Sequence, residues 1–141
     1  MIIDDFLNLP DEMKESEVEQ LFINVINEYV NKKISLNDFL TIIVRLVEIQ
    51  SMNYQLIDSN IKSTMDNIIS SICDLNNVKI VGSTLVYIIL NLGLQNSYNI
   101  IRDSIKLLKD VNIELYTHLS GLLVNVGEDI SNPYAFLEKY R

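Results

Sequence analysis

Residues 35–51 read SLNDFLTIIVRLVEIQS, and this stretch decides the fold. Ser35 stands three residues before Asp38, a spacing typical of a helix start at which a hydroxyl accepts a hydrogen bond from a free backbone N–H. The residues that follow are apolar on most sides of a helix, not only along one stripe. The sequence therefore predicts a helix over about 36–51 that lies centrally, with neighbours on several sides.

One strip of this central helix carries charge. Arg45 and Glu48 are three residues apart and hence neighbours on a helix surface, so they mark the strip that we expect to stay exposed. Polar residues also interrupt the apolar run Leu36–Ile49, which is too short to cross a bilayer.

The segment before the central helix has the pattern of an amphipathic helix over about 16–32. Its apolar positions form one stripe. Ser16 followed by Glu19 forms a capping box at its start, and we expect Lys32 and Lys33 at its end.

Downstream, the same periodicity predicts further helices. They are expected over about 56–76, from Gly82 to Leu92, over about 97–109 and from Asn112 to about 126, with a short helix after Asn132-Pro133. In the helix over 56–76, Lys62, Asp66 and Asn67 should face outward. The short terminal helix would contain Tyr134, Phe136, Leu137 and Tyr140. Gly93 and Gly127 are expected to stop helices, and Gly121 to mark close approach by another helix. For the helix from Gly82, β-branched residues make a strand the competing interpretation, which the length of the segment disfavours.

The predicted connections are short, so consecutive helices should be antiparallel neighbours. Residues 16–51, 57–92 and 97–126 would then form three helical hairpins within a single domain, 1–141. The predicted fold class is all-α with about six to seven helices. A compact bundle and a short solenoid-like stack are both open arrangements.

Composition indicates a soluble cytoplasmic protein. The chain is 48% hydrophobic and 21% charged, which is ordinary for a globular protein. Cys73 is the only cysteine, so an intrachain disulfide is excluded and a reducing compartment is expected. The N-terminus carries acids where a secretory signal needs bases.

Acidic residues are concentrated at the N-terminal end. Residues 1–31 hold eight carboxylates and one base, so −7 of the chain's net charge of −8 lies there. Such an end suits a basic partner and does not suit nucleic acid, whose phosphates require Lys and Arg. We predict a partner-binding surface that contains Asp4, Asp5, Asp11, Glu12, Glu15, Glu17, Glu19 and Glu28. The positions of Glu17, Glu19 and Glu28 are already explained by the helix over 16–32, so the first five carboxylates are the stronger candidates for partner binding.

Tyrosine adds a second kind of candidate contact. The chain has seven tyrosines and no tryptophan, and tyrosine is frequent at interface hot spots because it combines apolar area with a polar tip. Most of the seven lie on apolar helix stripes. Tyr54, in the loop SMNYQ, and Tyr134 are expected to be exposed, and Tyr54 joins the predicted partner-binding residues.

No residue pattern indicates catalysis, a metal or a cofactor. His118 is the only histidine and follows Glu114 by one helical turn, but zinc or general-base chemistry would need further ligands or a nucleophile. We expect it at the boundary of the core. The four glycines are isolated, so none forms a phosphate-binding loop. The sequence predicts a protein that is not an enzyme, with no catalytic, metal or cofactor-binding residues.

In overall character the chain resembles the small immunity proteins of bacterial polymorphic toxin and contact-dependent growth-inhibition systems. The likeness covers the whole chain and lies in its size, its helical hairpins, its Ile/Asn-rich composition and its acidic start DDFLNLPDEMKESEVE. Many of those proteins are cytosolic, acidic and all-helical. The resemblance implies that an acidic surface binds and neutralises one cognate toxin, a nuclease with a basic active-site cleft, without contact to nucleic acid or membrane.

Two other functions are open. A helical scaffold or adaptor would bind a partner peptide or helix in a groove between hairpins, and a conspicuous groove would favour it. An enzyme or ligand-binding bundle would need polar side chains pointing inward. The predicted stripes are almost wholly apolar, so this function ranks last.

Overall fold

The computed structural model describes residues 3–135, and within this range the chain forms helices joined by turns, without a strand. The predicted all-α class is confirmed. The helices are α1 (Ile3–Leu7), α2 (Glu15–Val30), α3 (Leu36–Ser51), α4 (Ser59–Ile72), α5 (Leu75–Leu92), α6 (Gln95–Leu107) and α7 (Ile113–Leu123), with a 3-10 turn, Leu108–Asp110, after α6.

The α3 helix has the bounds and the central position that the sequence predicts. The Oγ of Ser35 accepts a hydrogen bond from the N–H of Asp38, 3.1 Å away. Phe39, Ile42 and Leu46 are completely buried. Helices α1, α2 and α5 all pack against α3, because apolar side chains cover most of its circumference.

The start of α2 differs from the predicted capping box. Lys14, in an extended conformation, is the N-cap and has no side-chain bond to the helix, so Ser16 lies inside the first turn. The reason is tertiary, since the segment that enters the helix lies against α3, where Arg45 binds the carbonyl oxygen of Leu9.

The other end of α2 is close to the prediction. Lys32 adopts a left-handed φ of 60°. The N–H of Lys33 then donates to the carbonyl of Glu28 at 2.9 Å, and the N–H of Lys32 to that of Tyr29. This is a Schellman ending in which lysine occupies the place that glycine usually takes.

Helices α4 and α5 are shifted relative to the prediction. Asp58 and Asp74 each accept a hydrogen bond from the first turn of the following helix. The α4 helix is therefore shorter than predicted. The sequence predicted a connection between the helix over about 56–76 and the helix from Gly82, and this is wrong. The α5 helix already begins at Leu75 and is interrupted only by non-helical torsions at Val81, with φ −125° and ψ 22°.

Two side chains of α4 that were predicted to face outward hold other segments instead. Asp66 Oδ1 accepts hydrogen bonds from the N–H and the hydroxyl of Ser97, and its Oδ2 accepts from the N–H of Asn96. Asp66 thereby caps α6, which has no side-chain cap of its own. Lys62 donates to the carbonyl of Ser131 at 2.6 Å.

Two helices approach each other closely at Gly82, whereas the predicted close approach at Gly121 is wrong. A Cβ on Gly82 would lie 2.8 Å from Cδ1 of the buried Leu119, whereas Gly121 borders open space. Gly82 thus allows α7 to pack on α5.

The last helices confirm two predicted signals and correct a third. Gly93 ends α5 with a left-handed φ of 70°, and the side chain of Asn112 caps α7. The α7 helix ends at Leu123, before Gly127, because the chain turns to bring the carbonyl of Gly127 to the hydroxyl of Tyr98 at 3.0 Å. Asn132 starts a turn by accepting from the N–H of Tyr134, and the predicted terminal-helix residues Phe136, Leu137 and Tyr140 lie outside the described residues.

The helices stack in two layers. Contacts join α1 to α3, α3 to α5 and α5 to α7 in one layer, and α2 to α4 and α4 to α6 in the other. Between the layers lies one continuous apolar core that extends from Phe6 to Ile130. Of the two arrangements left open by the sequence, the contacts are those of a short solenoid-like stack.

Helix α5 is, among the described helices, the one long and apolar enough to cross a membrane by length and composition. Val78, Leu85 and Ile89 on this helix are completely buried. A helix in the core of a folded domain meets the same criteria, so this feature does not decide the location of the protein.

Candidate functional site

The predicted acidic residues do not form a single surface. Asp4 and Asp5 are exposed on α1, and Glu17 is exposed on α2. Glu28 follows Glu15 by thirteen residues on the same helix, which places it about 20 Å further along the axis. The set is therefore divided among several places on the molecule.

One group of carboxylates forms where α2 meets the start of α4. Glu19 lies close to Glu15 and Asp58, and its pKa is raised by partial burial first and then by the negative charges of these two neighbours. A hydrogen bond from the backbone N–H of Asp58 acts in the opposite direction. Ionised carboxylates in this group repel one another, so a cation placed against them would gain interaction energy.

Asp11 has a structural partner. Its carboxylate lies 3.0 Å from Arg45 Nη2, and Arg45 also binds Glu48 at 3.3 Å and the carbonyl of Leu9. The Arg45 side chain is only 14% exposed, so the prediction that it marks an exposed strip is wrong. The N-terminal segment covers it, a contact between distant parts of the chain that helix periodicity does not reveal.

The loop between α3 and α4, residues 52–58, presents large apolar side chains to solvent. Met52, Tyr54 and Leu56 are 46%, 53% and 44% exposed. Beneath them, the buried Gln50 donates from Nε2 to the carbonyl of Gln55 at 2.9 Å and so holds the loop to the end of α3. The large apolar side chains of this loop are therefore exposed while its backbone is anchored.

Tyr54 is exposed, as the sequence predicts, but Tyr134 is not. Tyr54 has a left-handed φ of 51°, which is uncommon for a residue other than glycine. Its ring meets that of Tyr134 edge to face, with 6.2 Å between centroids. Tyr134 is 8% exposed because residues 124–135 fold back across the molecule.

Acidic residues adjoin both ends of the loop over residues 52–58. Glu12 and Lys14 line one shallow depression together with Met52 and Asn53. Asp58, at the other end of the loop, belongs to the carboxylate group on α2. We call the combined region the acidic loop surface; it consists of Glu12, Glu15, Glu19, Met52, Tyr54, Leu56 and Asp58. Four of these residues were predicted, whereas Met52, Leu56 and Asp58 were missed, although the alternating apolar residues of SMNYQLID were a usable signal.

A groove lies beside this surface, on the outer side of α3. It has a volume of about 590 Å³. One face of α3 forms its floor, Leu7 and Asp11 line one side, and Val81 and Thr84 of α5 line the other. We call it the α3 groove; its floor residues are Asn37, Leu40, Thr41, Val44, Arg45 and Glu48.

The described residues offer little that could support catalysis. His118 is exposed, and its Nε2 lies 3.2 Å from the hydroxyl of Ser83. Cys73 is buried, and burial, followed by the charges of Asp66 and Asp74, raises the pKa of its thiol to about 12, which leaves it unreactive at neutral pH. Within residues 3–135, no three His, Cys, Asp or Glu side chains come together as metal ligands would.

Fold and surface together define an all-α protein with an exposed apolar loop that carboxylates flank. Comparison of the chain with protein-family models, with curated proteins and with solved structures found no match.

Proposed function

We propose that this protein binds a basic protein through the acidic loop surface and acts as an immunity protein that neutralises a cognate toxin in the cytoplasm. The observation that carries the proposal is the exposure of Met52, Tyr54 and Leu56 next to the carboxylates of the acidic loop surface. Apolar and aromatic anchors within a charged rim are the usual composition of a protein–protein interface.

The two kinds of side chain would have different roles. Carboxylates speed the encounter with a cationic partner by steering it over distances of the order of the Debye length, about 8 Å at physiological salt. Tyr54 and its apolar neighbours would be desolvated on contact and would supply most of the affinity. The anchoring of the loop by Gln50 limits the entropy lost on binding.

A nuclease is the partner that this charge distribution suits best. A cleft that binds nucleic acid must carry Lys and Arg to neutralise phosphates. A surface that presents carboxylates can occupy such a cleft and exclude the substrate, with no catalytic step, metal or cofactor of its own. Relief of the repulsion around Glu19 on binding would add to the affinity.

The test needs the partner and one charge-reversed variant. The adjacent gene should encode a large exported protein that ends in a basic toxin domain, and this domain is the ligand to purify. Reversal of Glu12, Glu15, Glu17 and Glu19 to Lys should weaken its binding by at least tenfold, or about 1.4 kcal/mol, and abolish protection of cells that express it. Asp11 is left unchanged because Arg45 depends on it.

The matched control makes the same change in charge elsewhere, on exposed residues of the C-terminal half. It reverses Asp103, Asp110, Glu114 and Glu128 to Lys. Glu114 lies in the first turn of α7, as Glu15 and Glu17 lie in the first turn of α2, so the control also includes a charge reversal at a helix N-terminus. Equal loss of binding in both variants would reject the acidic loop surface, and a neighbouring metabolic operon would reject the immunity function.

The alternative of a helical adaptor is favoured by a separate observation, the α3 groove. An adaptor would bind its partner there without the acidic loop surface. The charge-reversed variant separates the two functions, since an adaptor of this kind would keep its affinity.

A further inference from the structure

We propose that the α3 groove binds an amphipathic helix of the basic partner, with apolar residues on one face and Lys or Arg beside them. This inference rests on the proposed function for the basic character of the partner. It adds a second, adjoining contact area of a different kind.

The shape of the groove suits a helix. Its floor residues recur at intervals of three and four from Asn37 to Glu48, so they form one continuous face of α3. On this face Asn37, Thr41 and Glu48 are exposed, whereas Leu40 is buried and Arg45 is covered by the N-terminal segment. The eleven helical steps from Asn37 to Glu48 correspond to roughly 16 Å, or three turns. The flanking helices α1 and α5 lie on either side of α3 in the same layer, and this is the arrangement in which a helix-in-groove complex forms.

The lining of the groove combines apolar and acidic groups. Leu40 and Val44 lie in the floor, Val81 lies on one wall, and Leu7 on the other wall is 50% exposed. Such apolar side chains at the edges of a groove become buried when a partner's apolar face enters it.

The charge of the lining residues determines which kind of molecule the groove attracts. Arg45 in the floor is already paired with Asp11 and Glu48, which leaves one excess negative charge among the lining residues. Asp4 adds another at the rim, since it lies one turn before Leu7 on α1. A second copy of this chain would bring a net charge of −8, and nucleic acid and anionic lipid are also negative, so all three would be repelled. A basic segment would be attracted.

The groove is continuous with the acidic loop surface. Asp11 lines the groove, and the next residue, Glu12, belongs to the acidic loop surface. Glu48 also lines the groove and pairs with the same Arg45 as Asp11, and burial followed by the charge of Glu48 raises the pKa of Tyr87. Tyr87 in turn lies near Tyr134, which contacts Tyr54. One partner could therefore occupy both.

The test uses the full chain and a designed peptide of about 14 residues, long enough for a helix of roughly 21 Å. In this peptide leucines form one face and lysines the other. A second peptide replaces the lysines by glutamates, and a third replaces the leucines by alanines. Binding is measured by fluorescence anisotropy.

Two variants fill the groove, and one matched variant does not. Thr41→Trp and Thr84→Trp place an indole in the groove. Thr117→Trp is the control, because Thr117, like Thr41, is an exposed helical threonine whose hydroxyl donates to the carbonyl four residues earlier, at 2.8 Å and 2.9 Å respectively. Helix content by circular dichroism verifies that each variant folds.

We expect the leucine–lysine peptide to bind the wild-type protein and to lose roughly tenfold in affinity with either groove variant but not with Thr117→Trp. The glutamate and alanine peptides should bind weakly. Absence of binding to the wild type, or unchanged binding by Thr41→Trp, would overturn the inference. If the toxin domain depends on the acidic loop surface but not on Thr41 or Thr84, the inference fails while the proposed function stands.

Discussion

Arg45 of α3 and Asp11 of the N-terminal segment form an ion pair, with 3.0 Å between Nη2 and Oδ1, and the same nitrogen binds the carbonyl of Leu9. These contacts join residues more than thirty positions apart in sequence. They hold the N-terminal segment on α3 and thereby shape both the α3 groove and the start of α2.

Arg45→Met should release this segment. The substitution keeps an apolar stem but leaves Leu9 and Asp11 without their donor, so we expect a loss of about 1–3 kcal/mol in the free energy of unfolding. Urea denaturation measures the loss, and hydrogen exchange should be faster over residues 8–14. Lys106→Met is the control, because Lys106 and Asp103 are both exposed and 3.9 Å apart, and such pairs contribute about 0–1 kcal/mol. Equal effects of the two substitutions would show that the segment is held by other contacts.

Glu19→Gln should stabilise the free protein and weaken partner binding. The raised pKa of Glu19 means that its ionised form is less favourable in the folded than in the unfolded state, so charge at this position lowers stability at neutral pH. Glutamine removes the charge and can still accept from the N–H of Asp58. The gain should disappear as the pH falls through the raised pKa, because Glu19 is then protonated in the wild type.

Thermal unfolding at neutral and acidic pH measures the effect of Glu19→Gln. Glu17→Gln, on an exposed position of the same helix, is the control and should change stability little. A destabilised Glu19→Gln protein at neutral pH would mean that the carboxylate is needed for folding and would count against a binding role.

Asp66→Ala should destabilise the junction of α4 and α6. The substitution leaves the N–H groups of Ser97 and Asn96 without their acceptor, while the hydroxyl of Ser97 can still donate to the backbone carbonyl of residue 66. Ser97 is completely buried. We expect a loss of about 1–3 kcal/mol in chemical denaturation. Asp103→Ala, on an exposed part of α6, should cost less than about 1 kcal/mol, and an equal cost would contradict the capping role of Asp66.

Gly93→Ala and Gly121→Ala should have opposite effects. Gly93 has a φ of 70°, and a Cβ there would lie 2.7 Å from the carbonyl oxygen of Ser131, so both strain and a backbone clash oppose alanine. The left-handed conformation alone costs about 1–2 kcal/mol for an L-residue. Gly121 is helical with open space around it, and alanine should raise stability by about 0.5–1 kcal/mol. Calorimetric melting temperatures should move in opposite directions, and a tolerated Gly93→Ala would contradict the packing of residues 130–131 on α5.

Cys73 should make stability fall at alkaline pH. Burial raises the pKa of its thiol to about 12 from an ordinary value of 9.0. The thiol remains protonated in the folded protein while it ionises in the unfolded chain. Its contribution to stability is therefore complete below pH 9 and is lost as the pH rises toward 12, by up to about 1.4 kcal/mol per pH unit.

The contribution of Cys73 is measured as the difference between the wild type and Cys73→Ala in urea denaturation at neutral and alkaline pH, which cancels the ionisation of tyrosines. The native thiol should also react with a thiol reagent only after unfolding. Rapid reaction of the folded protein would show that Cys73 is accessible.

Much of the candidate surface could be predicted from composition, and its boundaries could not. Eight N-terminal carboxylates and Tyr54 stand out in the sequence, and Glu12, Glu15 and Glu19 do adjoin the ends of the loop that carries Tyr54. Asp11 looked equivalent to Glu12 but is paired with Arg45, and Asp58 joins the region only through the packing of α4 on α2. Charge counts locate an acidic segment, whereas the neighbours of each carboxylate depend on contacts between distant residues.

By itself the sequence determined the helices whose signals are local. Ser35, Asn112 and Gly93 act within a few residues of themselves, through a side-chain cap or a permissive backbone. The apolar circumference of α3 likewise required a central position wherever its neighbours lay. The tertiary structure alone decided the two layers, the burial of Arg45 and Tyr134, and the juxtaposition of the α3–α4 loop with the carboxylates of α2. These features arise from the pairing of helix faces, which periodicity in one segment cannot specify, because each face can pack equally well on several others.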